Sequence, residues 1–530
     1  MQLKKWFITL GCLLPLHMQG QNFLVKDASA RIGSYVSLFN SEDNELYKQD
    51  IPNSDAAVFL QKNIPFFECP DKELEKTYYF RWWTYRKHIK KTPAGFVISE
   101  FLPNVPWAGK YNTISCAAAH HFYEGRWMKD SRILSEYAKF WFSGEGNPRL
   151  YSFGAADAIY NFCLVHNDTI LLEELYPKLK ENFSHWEAEK LDSTGMFWQV
   201  DDRDGMEMSV SGKLSEGGRG YRPTINSYMY GEAMALSKIA LLTGQEDEAL
   251  RYREKAETLK EVINERLWDP QAEFYKVIPL NGKREFSHAR ELLGYTPWFY
   301  NIPPENHSTA WKQLLNPEGF AAPYGPSTVE QLCPDFKLSY EGHECQWNGP
   351  SWPYLTSLTL TALANYLNQY PPTSITKKDY LNLLQTYSNS HRILSDQNDT
   401  ICWIDENLNP YTGEWISRTR LKSWNNGTWD AGKGGVERGK DYNHSSFCNL
   451  IVSGLIGIRP QDDGNIIVNP LVPNKHWEYF CLDNVYCQGK KITVIFDKTG
   501  KKYRKGKGFR IYVDNKCYFH APKVQKVVIK

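Results

Sequence analysis

From Asp71 onward apolar and polar residues alternate with helical spacing. Asp71-Lys-Glu-Leu-Glu-Lys-Thr-Tyr-Tyr-Phe-Arg-Trp-Trp-Thr-Tyr-Arg86 opens on a capping Asp and returns apolar side chains every three or four positions. The same pattern predicts helices near 112–126, 130–142, 153–165, 169–189, 226–243, 246–266, 306–315, 350–368, 376–392 and 444–456. Loops rich in Gly, Pro, Asp and Trp separate many of them. Helices joined alternately by short and long loops point to an α/α toroid, in which the long loops collect at one end and form a cleft. No fixed-period repeat is visible, which argues against a solenoid. Near Pro460 the period changes. Asn465-Ile-Ile-Val, Lys491-Ile-Thr-Val-Ile-Phe, Phe509-Arg-Ile-Tyr-Val and Val524-Gln-Lys-Val-Val-Ile read as strands, with turns at Asp462-Asp-Gly and Asp514-Asn. The expected organisation is an N-terminal cover (21–70), a helical toroid (71–460) and a small β-domain (461–530).

Composition narrows the function. With 62 basic and 61 acidic side chains the net charge is +1, so no global field draws nucleic acid or anionic lipid. Hydrophobic residues, at 42%, suffice for a large core. Aromatics reach 14%, with 18 Trp and 32 Tyr. Sugar clefts use such rings, because a pyranose stacks its C–H face on an aromatic plane. Helix–helix seams use them too.

Residues 1–20 read as an export signal: Lys4 and Lys5, then an apolar run to Leu16, then a small residue at Gly20. This predicts a periplasmic or extracellular protein. Cys12 raises a lipoprotein alternative, weakened by the poor lipobox Thr9-Leu10-Gly11. No segment reads as a membrane span. The eleven Cys include no CxxC pair and no zinc-type Cys/His spacing, so no metal site and no cofactor are expected. Cys481 and Cys487 are the close pair in the tail.

Two acidic stretches carry candidate chemistry. Trp198-Gln-Val-Asp-Asp-Arg-Asp-Gly-Met-Glu-Met-Ser-Val-Ser-Gly212 packs Asp201, Asp202, Asp204 and Glu207 together, ahead of the Gly-rich loop Gly217-Gly-Arg-Gly-Tyr221. Crowded carboxylates raise one another's pKa, as a general acid requires. A solvated acidic loop or a calcium site fits the same residues. Ile401-Cys-Trp-Ile-Asp-Glu-Asn-Leu-Asn-Pro-Tyr-Thr-Gly413 places Asp405 and Glu406 before strong turn signals. Two Trp-rich loops, Phe101-Leu-Pro-Asn-Val-Pro-Trp-Ala-Gly-Lys-Tyr-Asn112 and Gln346-Trp-Asn-Gly-Pro-Ser-Trp-Pro-Tyr354, suit a sugar-stacking wall. Tyr442-Asn-His444 lines a cleft or caps the last helix.

Taken in order, these motifs resemble those of the mannosylglycerate-hydrolase-like glycoside hydrolases, relatives of the processing α-glucosidases. Gly205-Met-Glu-Met-Ser209 is similar to their acid loop and Glu406-Asn-Leu-Asn-Pro-Tyr-Thr-Gly413 to their base loop. Asn348-Gly-Pro-Ser-Trp352, Leu293-Gly-Tyr-Thr-Pro-Trp298 and Gly457-Ile-Arg-Pro…Val468-Asn-Pro-Leu471 are similar to further family segments. The resemblance implies an (α/α)6 toroid of the six-hairpin glycosidase type and an inverting hydrolase acting on a carbohydrate, with Glu207 as general acid and Glu406 as general base. It implies that Trp107, Trp347 and Trp352 shape the sugar subsite, and Asn348 and Tyr442 are expected to bind substrate beside them. Glu207 stands where the family has Asp, which leaves Asp204 as alternative acid and otherwise as a sugar-binding carboxylate. Lys110 falls where relatives often carry a sugar-binding Asp. The competing expectations are a polysaccharide lyase, using Tyr442, His444, His120 and Arg222, and a non-catalytic glycan-binding lipoprotein.

Overall fold

The computed structural model describes residues 23–212, 218–339, 345–371, 373–395, 399–418 and 429–530. The expected export segment 1–20, with Cys12, lies outside them, as does Gly217. Helices α1 (Ala28–Ser41) and α2 (Asn53–Asn63) pack on the outside of α3 (Lys72–Lys87). The Asp71 carboxylate caps α3 by accepting from the Leu74 N–H at 3.0 Å. There follow α4 (Ser115–Gly125), α5 (Arg132–Trp141), α6 (Ala155–His166), α7 (Thr169–Lys190), α8 (Pro223–Leu242) and α9 (Glu246–Arg266).

Burial separates two kinds of helix. In α9 the buried residues are Ala249, Tyr252, Ala256, Leu259 and Ile263, one stripe at spacings of three and four. In α8 nearly every residue from Pro223 to Ala240 is buried, because neighbours surround it. Outer and inner helices therefore alternate: α3 and α4, α5 and α6, α7 and α8. The fourth inner element is a 3-10 turn, Leu292–Tyr295, leading into α10 (Thr296–Phe299). The fifth pair sets a 3-10 segment, Glu305–Trp311, and α11 (Lys312–Leu315) outside α12 (Pro353–Gln369). The sixth sets α13 (Lys377–Ser390), with its Thr376/Asp379 capping box, outside α14 (Phe447–Asn449) and the π-helical turn Leu450–Leu455. The inner elements touch in sequence, and α14 closes on α4. The fold is thus the expected (α/α)6 toroid. Its short fourth inner element escapes periodicity because eight residues containing Gly294 and Pro297 are too few to show it.

The tail forms a five-stranded antiparallel sheet in the order Phe66–Glu68, Tyr479–Cys487, Lys490–Asp497, Gly508–Val513, Lys516–Ala521. The hairpin at Asp514-Asn515 turns as expected, both residues having positive φ. Its edge strand, however, comes from the segment expected only as a cover. Glu68 there receives Arg31 and Lys502, so part of the basic turn 501–507 is an ion-pair partner. Tyr479–Cys487 lacks an alternating pattern because it is buried on both faces and broken by a register shift at Leu482/Val485, with Asn484 at φ +68. Cys481 and Cys487 are both buried free thiols and form no disulfide with each other. No described helix is long and apolar enough to cross a membrane.

Glu232, inside α8, yields a test of this packing. Its Oε1 accepts from the Asp157 N–H at 3.1 Å, and its Oε2 has no hydrogen-bond partner among the described residues. Burial, aided by the charge of Asp157, pushes its pKa up to about 8. The folded chain therefore holds this proton at pH values where the unfolded chain has released it. The stabilising contribution is complete below the ordinary carboxylate range and is lost as pH rises towards about 8. Glu232→Gln copies the protonated form. It should leave the melting temperature nearly unchanged at about pH 5 and raise it at about pH 8; an equal shift at both pH values by calorimetry would contradict this.

Candidate active site

Loops leading into the inner helices meet at one end of the ring. Residues 99–112 precede α4, 198–221 precede α8, 346–352 precede α12, and 438–446 precede α14. They enclose a cavity of about 190 Å³, whose lining includes Glu100, Trp107, Glu207, Trp347, Trp352, Glu406, Arg438, Tyr442 and His444. A larger cavity, about 270 Å³, lies among Tyr123, Asp157, Tyr230 and Asn365, towards the other ends of these helices, and lacks such a group of carboxylates.

The Glu406 loop is fixed from both sides. Ser351 and Leu408 exchange backbone hydrogen bonds of 2.9 and 3.0 Å. Asn409 Oδ1 accepts from the Tyr411 N–H at 2.9 Å, making the turn expected from Asn409-Pro410. Glu406 is 1% exposed. Arg438 aims its Nε and Nη2 at Glu406 Oε1, at 3.2 and 2.9 Å, and the Cys345 thiol donates to Oε2 at 3.6 Å. Two charge-assisted donors from one guanidinium thus match Oε1 to a cation. Arg438 reaches this position because Gly439 follows it. A Cβ at 439 would stand 1.9 Å from Asp405 Oδ1. Asp405 itself faces the Ser417 hydroxyl and the Glu406 N–H, each at 2.8 Å, and burial, with the charge of Glu406, pushes its pKa up to about 7.

Glu207 sits in a different environment. Gly205, at φ +74, turns the chain, and the Glu207 carbonyl accepts from the Trp347 N–H at 3.2 Å, tying the two motifs together. No ion pair holds its carboxyl among the described residues. Burial first, then the charges of Asp202, Asp201 and Glu406, push its pKa up to about 8. The cavity thus holds one carboxylate matched to a cation and one that keeps its proton at neutral pH, a pairing suited to base and acid.

The expected site residues divide. Trp107, Glu207, Trp347, Trp352, Glu406 and Tyr442 line the cavity. Trp347 and Trp352 stack with centroids 4.0 Å apart. Asp204 does not line it. Its carboxylate is fully buried, accepts from Arg222 Nε at 2.8 Å and from the Thr224 hydroxyl, and ties the acid loop to the start of α8. The expectation of Asp204 as acid or sugar ligand is corrected, because counting carboxylates along a loop does not show which way each faces. Asn348 also falls outside the lining. Of the groups a lyase would use, Tyr442 and His444 line the cavity, but Arg222 pairs with Asp204, and His120, its pKa lowered to about 3 by burial, faces Ser446. Lys110 pairs with Glu145 outside the cavity.

Sequence reading missed Glu100. It follows the hairpin of Ile89–Thr92 and Gly95–Ile98, accepts from the Tyr442 hydroxyl, and has its pKa pushed up to about 8, chiefly by burial. A lone Glu between apolar residues gives no sequence signal. Arg438 was missed because it stands among other charged residues, Glu437, Lys440 and Asp441, and nothing local sets it apart.

The chain is similar in sequence and in fold to known glycoside hydrolases. The family model for the mannosylglycerate hydrolase MGH1-like glycoside hydrolase domain matches residues 110–445, and that for the C-terminal domain of glycosyl hydrolase family 65 matches residues 458–518. A solved structure named sialidase shares 37% identity at a TM-score of 0.86, covering 94% of this chain. The chain spans 44% of that protein. A family 63 mannosylglycerate hydrolase from Thermus thermophilus, solved with glucose, is 13% identical at a TM-score of 0.50, over 67% of this chain and 95% of its own. A family 78 rhamnosidase from a Bacillus species is 12% identical at 0.52, over 82% and 40%. The last two likenesses concern the fold.

Arg438→Met tests the electrostatic arrangement. Losing both donors to Glu406 should lower kcat by about tenfold or more while the chain still folds. An unchanged kcat would remove Arg438 from the role described.

Proposed function

The chain belongs to the mannosylglycerate hydrolase MGH1-like glycoside hydrolase family, and from that premise we propose that it hydrolyses a glycosidic bond of a glycan or oligosaccharide with inversion, Glu207 acting as acid and Glu406 as base. The observation that carries this reading is the unlike pair in one cavity, Glu406 against Arg438 and Glu207 without a cation. Glu207 protonates the departing glycosidic oxygen. Glu406 takes a proton from water, which attacks the anomeric carbon from the opposite face in a single displacement. Trp107, Trp347 and Trp352 offer aromatic surface to the sugar ring, and Tyr442 with Glu100 offers hydroxyl partners. A small cavity ringed by loops supports action at a chain end. In this proposal residues 71–460 carry the cleft as the catalytic unit, and the β-domain at 461–530 braces it.

Glu406→Gln and Glu207→Gln should each lower kcat by about 10²–10⁴-fold on any glycan the wild type cleaves. Wild-type activity should be bell-shaped, falling at high pH as Glu207 loses its proton near about 8. Proton NMR should show the first-formed anomer inverted, and a retained anomer would sink the single displacement. Asp204→Asn tests the structural place of Asp204 behind the cavity. It should cost about 3–5 kcal/mol of stability, because Arg222 loses its buried partner, yet leave the basic limb in place.

A further inference from the structure

Behind the acid loop, and outside the cavity, three ligand-type side chains converge. His288 Nε2 lies 3.0 Å from Asp335 Oδ2 and 3.7 Å from Cys333 Sγ. All three ligand atoms fall within 4.8 Å of one another. We propose that His288, Cys333 and Asp335 form a binding site for a borderline-soft divalent cation, zinc above all, with water completing the shell.

The donor set selects the metal. One thiolate, one imidazole and one carboxylate suit Zn²⁺, whereas Ca²⁺ and Mg²⁺ take oxygen donors. The geometry is close to what zinc requires. Bonds of about 2.3 Å to sulfur and about 2.0–2.1 Å to nitrogen and oxygen place S and N about 3.6 Å apart, and N and O about 3.4 Å apart, in a tetrahedron. The S–N separation matches, and the N–O separation needs to open by a few tenths of an ångström. Cys333 is buried and His288 half-exposed, so sulfur comes from the protein side and the solvent side stays open for water and for metal entry.

The ligands also stand on a rigid base. Segments 290–292 and 328–330 pair through the Glu291–Val329 bridge and the Glu330 N–H to Arg290 carbonyl bond of 3.0 Å. Arg290 and Glu330 add an ion pair at 2.6 Å. Beyond the ligands, the Lys337 N–H donates to the Asn348 carbonyl at 2.8 Å, and Val210 packs with Cys333, Ala289 and Val329. The cation would clamp two loops that back the Trp347 wall and the Glu207 loop, a bracing role separate from the hydrolytic step. Spacing hid the cluster, since His288 and Cys333 are 45 positions apart.

The test uses tag-free full-length protein stripped with a chelator and reduced. On adding ZnCl₂ and dialysing, elemental analysis should find about one zinc per chain, the melting temperature should rise, and Co²⁺ should give a thiolate-to-metal charge-transfer band. Cys333→Ala and His288→Ala should each weaken zinc binding at least about tenfold and abolish the zinc-dependent rise and the cobalt band. Both variants should melt close to stripped wild type, which shows that they fold. No retained zinc and no cobalt band in wild type, or equal binding by the variants, would overturn the site and leave an ordinary His–Asp ion pair. Hydrolytic activity is not the readout, so the outcome is independent of the roles of Glu207 and Glu406.

Discussion

A carboxylate buried among aromatic rings stays charged only if something compensates the lost hydration. Arg438 supplies that compensation at Glu406, and much of the cleft depends on it. The guanidinium lies over the rings of Trp107 and Phe101, which fixes its plane while its donors meet the carboxylate. Its loop is held in turn by a buried cluster. Lys87 pairs with Asp43 and Asp441 at 2.7 Å each, and Lys440 pairs with Asp43 at 2.9 Å. Burial opposes ionisation of Asp43, but the two lysines outweigh it and hold its carboxyl well below the usual range. Asp43 belongs to the N-terminal cover, so that segment reaches into the charge network around the Arg438 loop.

The legible part of the site was the part written in local sequence. Asn409-Pro410 and Thr412-Gly413 announce a turn, and the turn does present Glu406 to the cleft. Long helices such as α8 and α9 were legible because burial imposes a period on them. The fourth inner element was not, being too short to show one. The strand Tyr479–Cys487 was hidden because burial on both faces erases alternation. Side-chain direction was the other gap. Asp204 and Glu207 lie three residues apart in one loop, and only the fold shows that Arg222 claims the first. Glu100 and Arg438 arrive from distant loops, and long-range convergence leaves no mark on the sequence around either.

The ring itself offers a second source of positive potential, since the N-terminal ends of α4, α8 and α12 lie at the cleft. Each helix end contributes about 0.3–1 kcal/mol to a nearby anion, falling off within a turn. Taking a carboxylate out of water costs several kcal/mol. Glu207 and Glu100 show which effect wins: both keep their protons up to about pH 8 despite this setting. At that strength helix ends do not decide how one carboxylate in the cleft differs from another. A single guanidinium can, because its donors reach one oxygen only. The contrast between the two glutamates, one matched to a cation and one not, therefore follows from where one arginine stands.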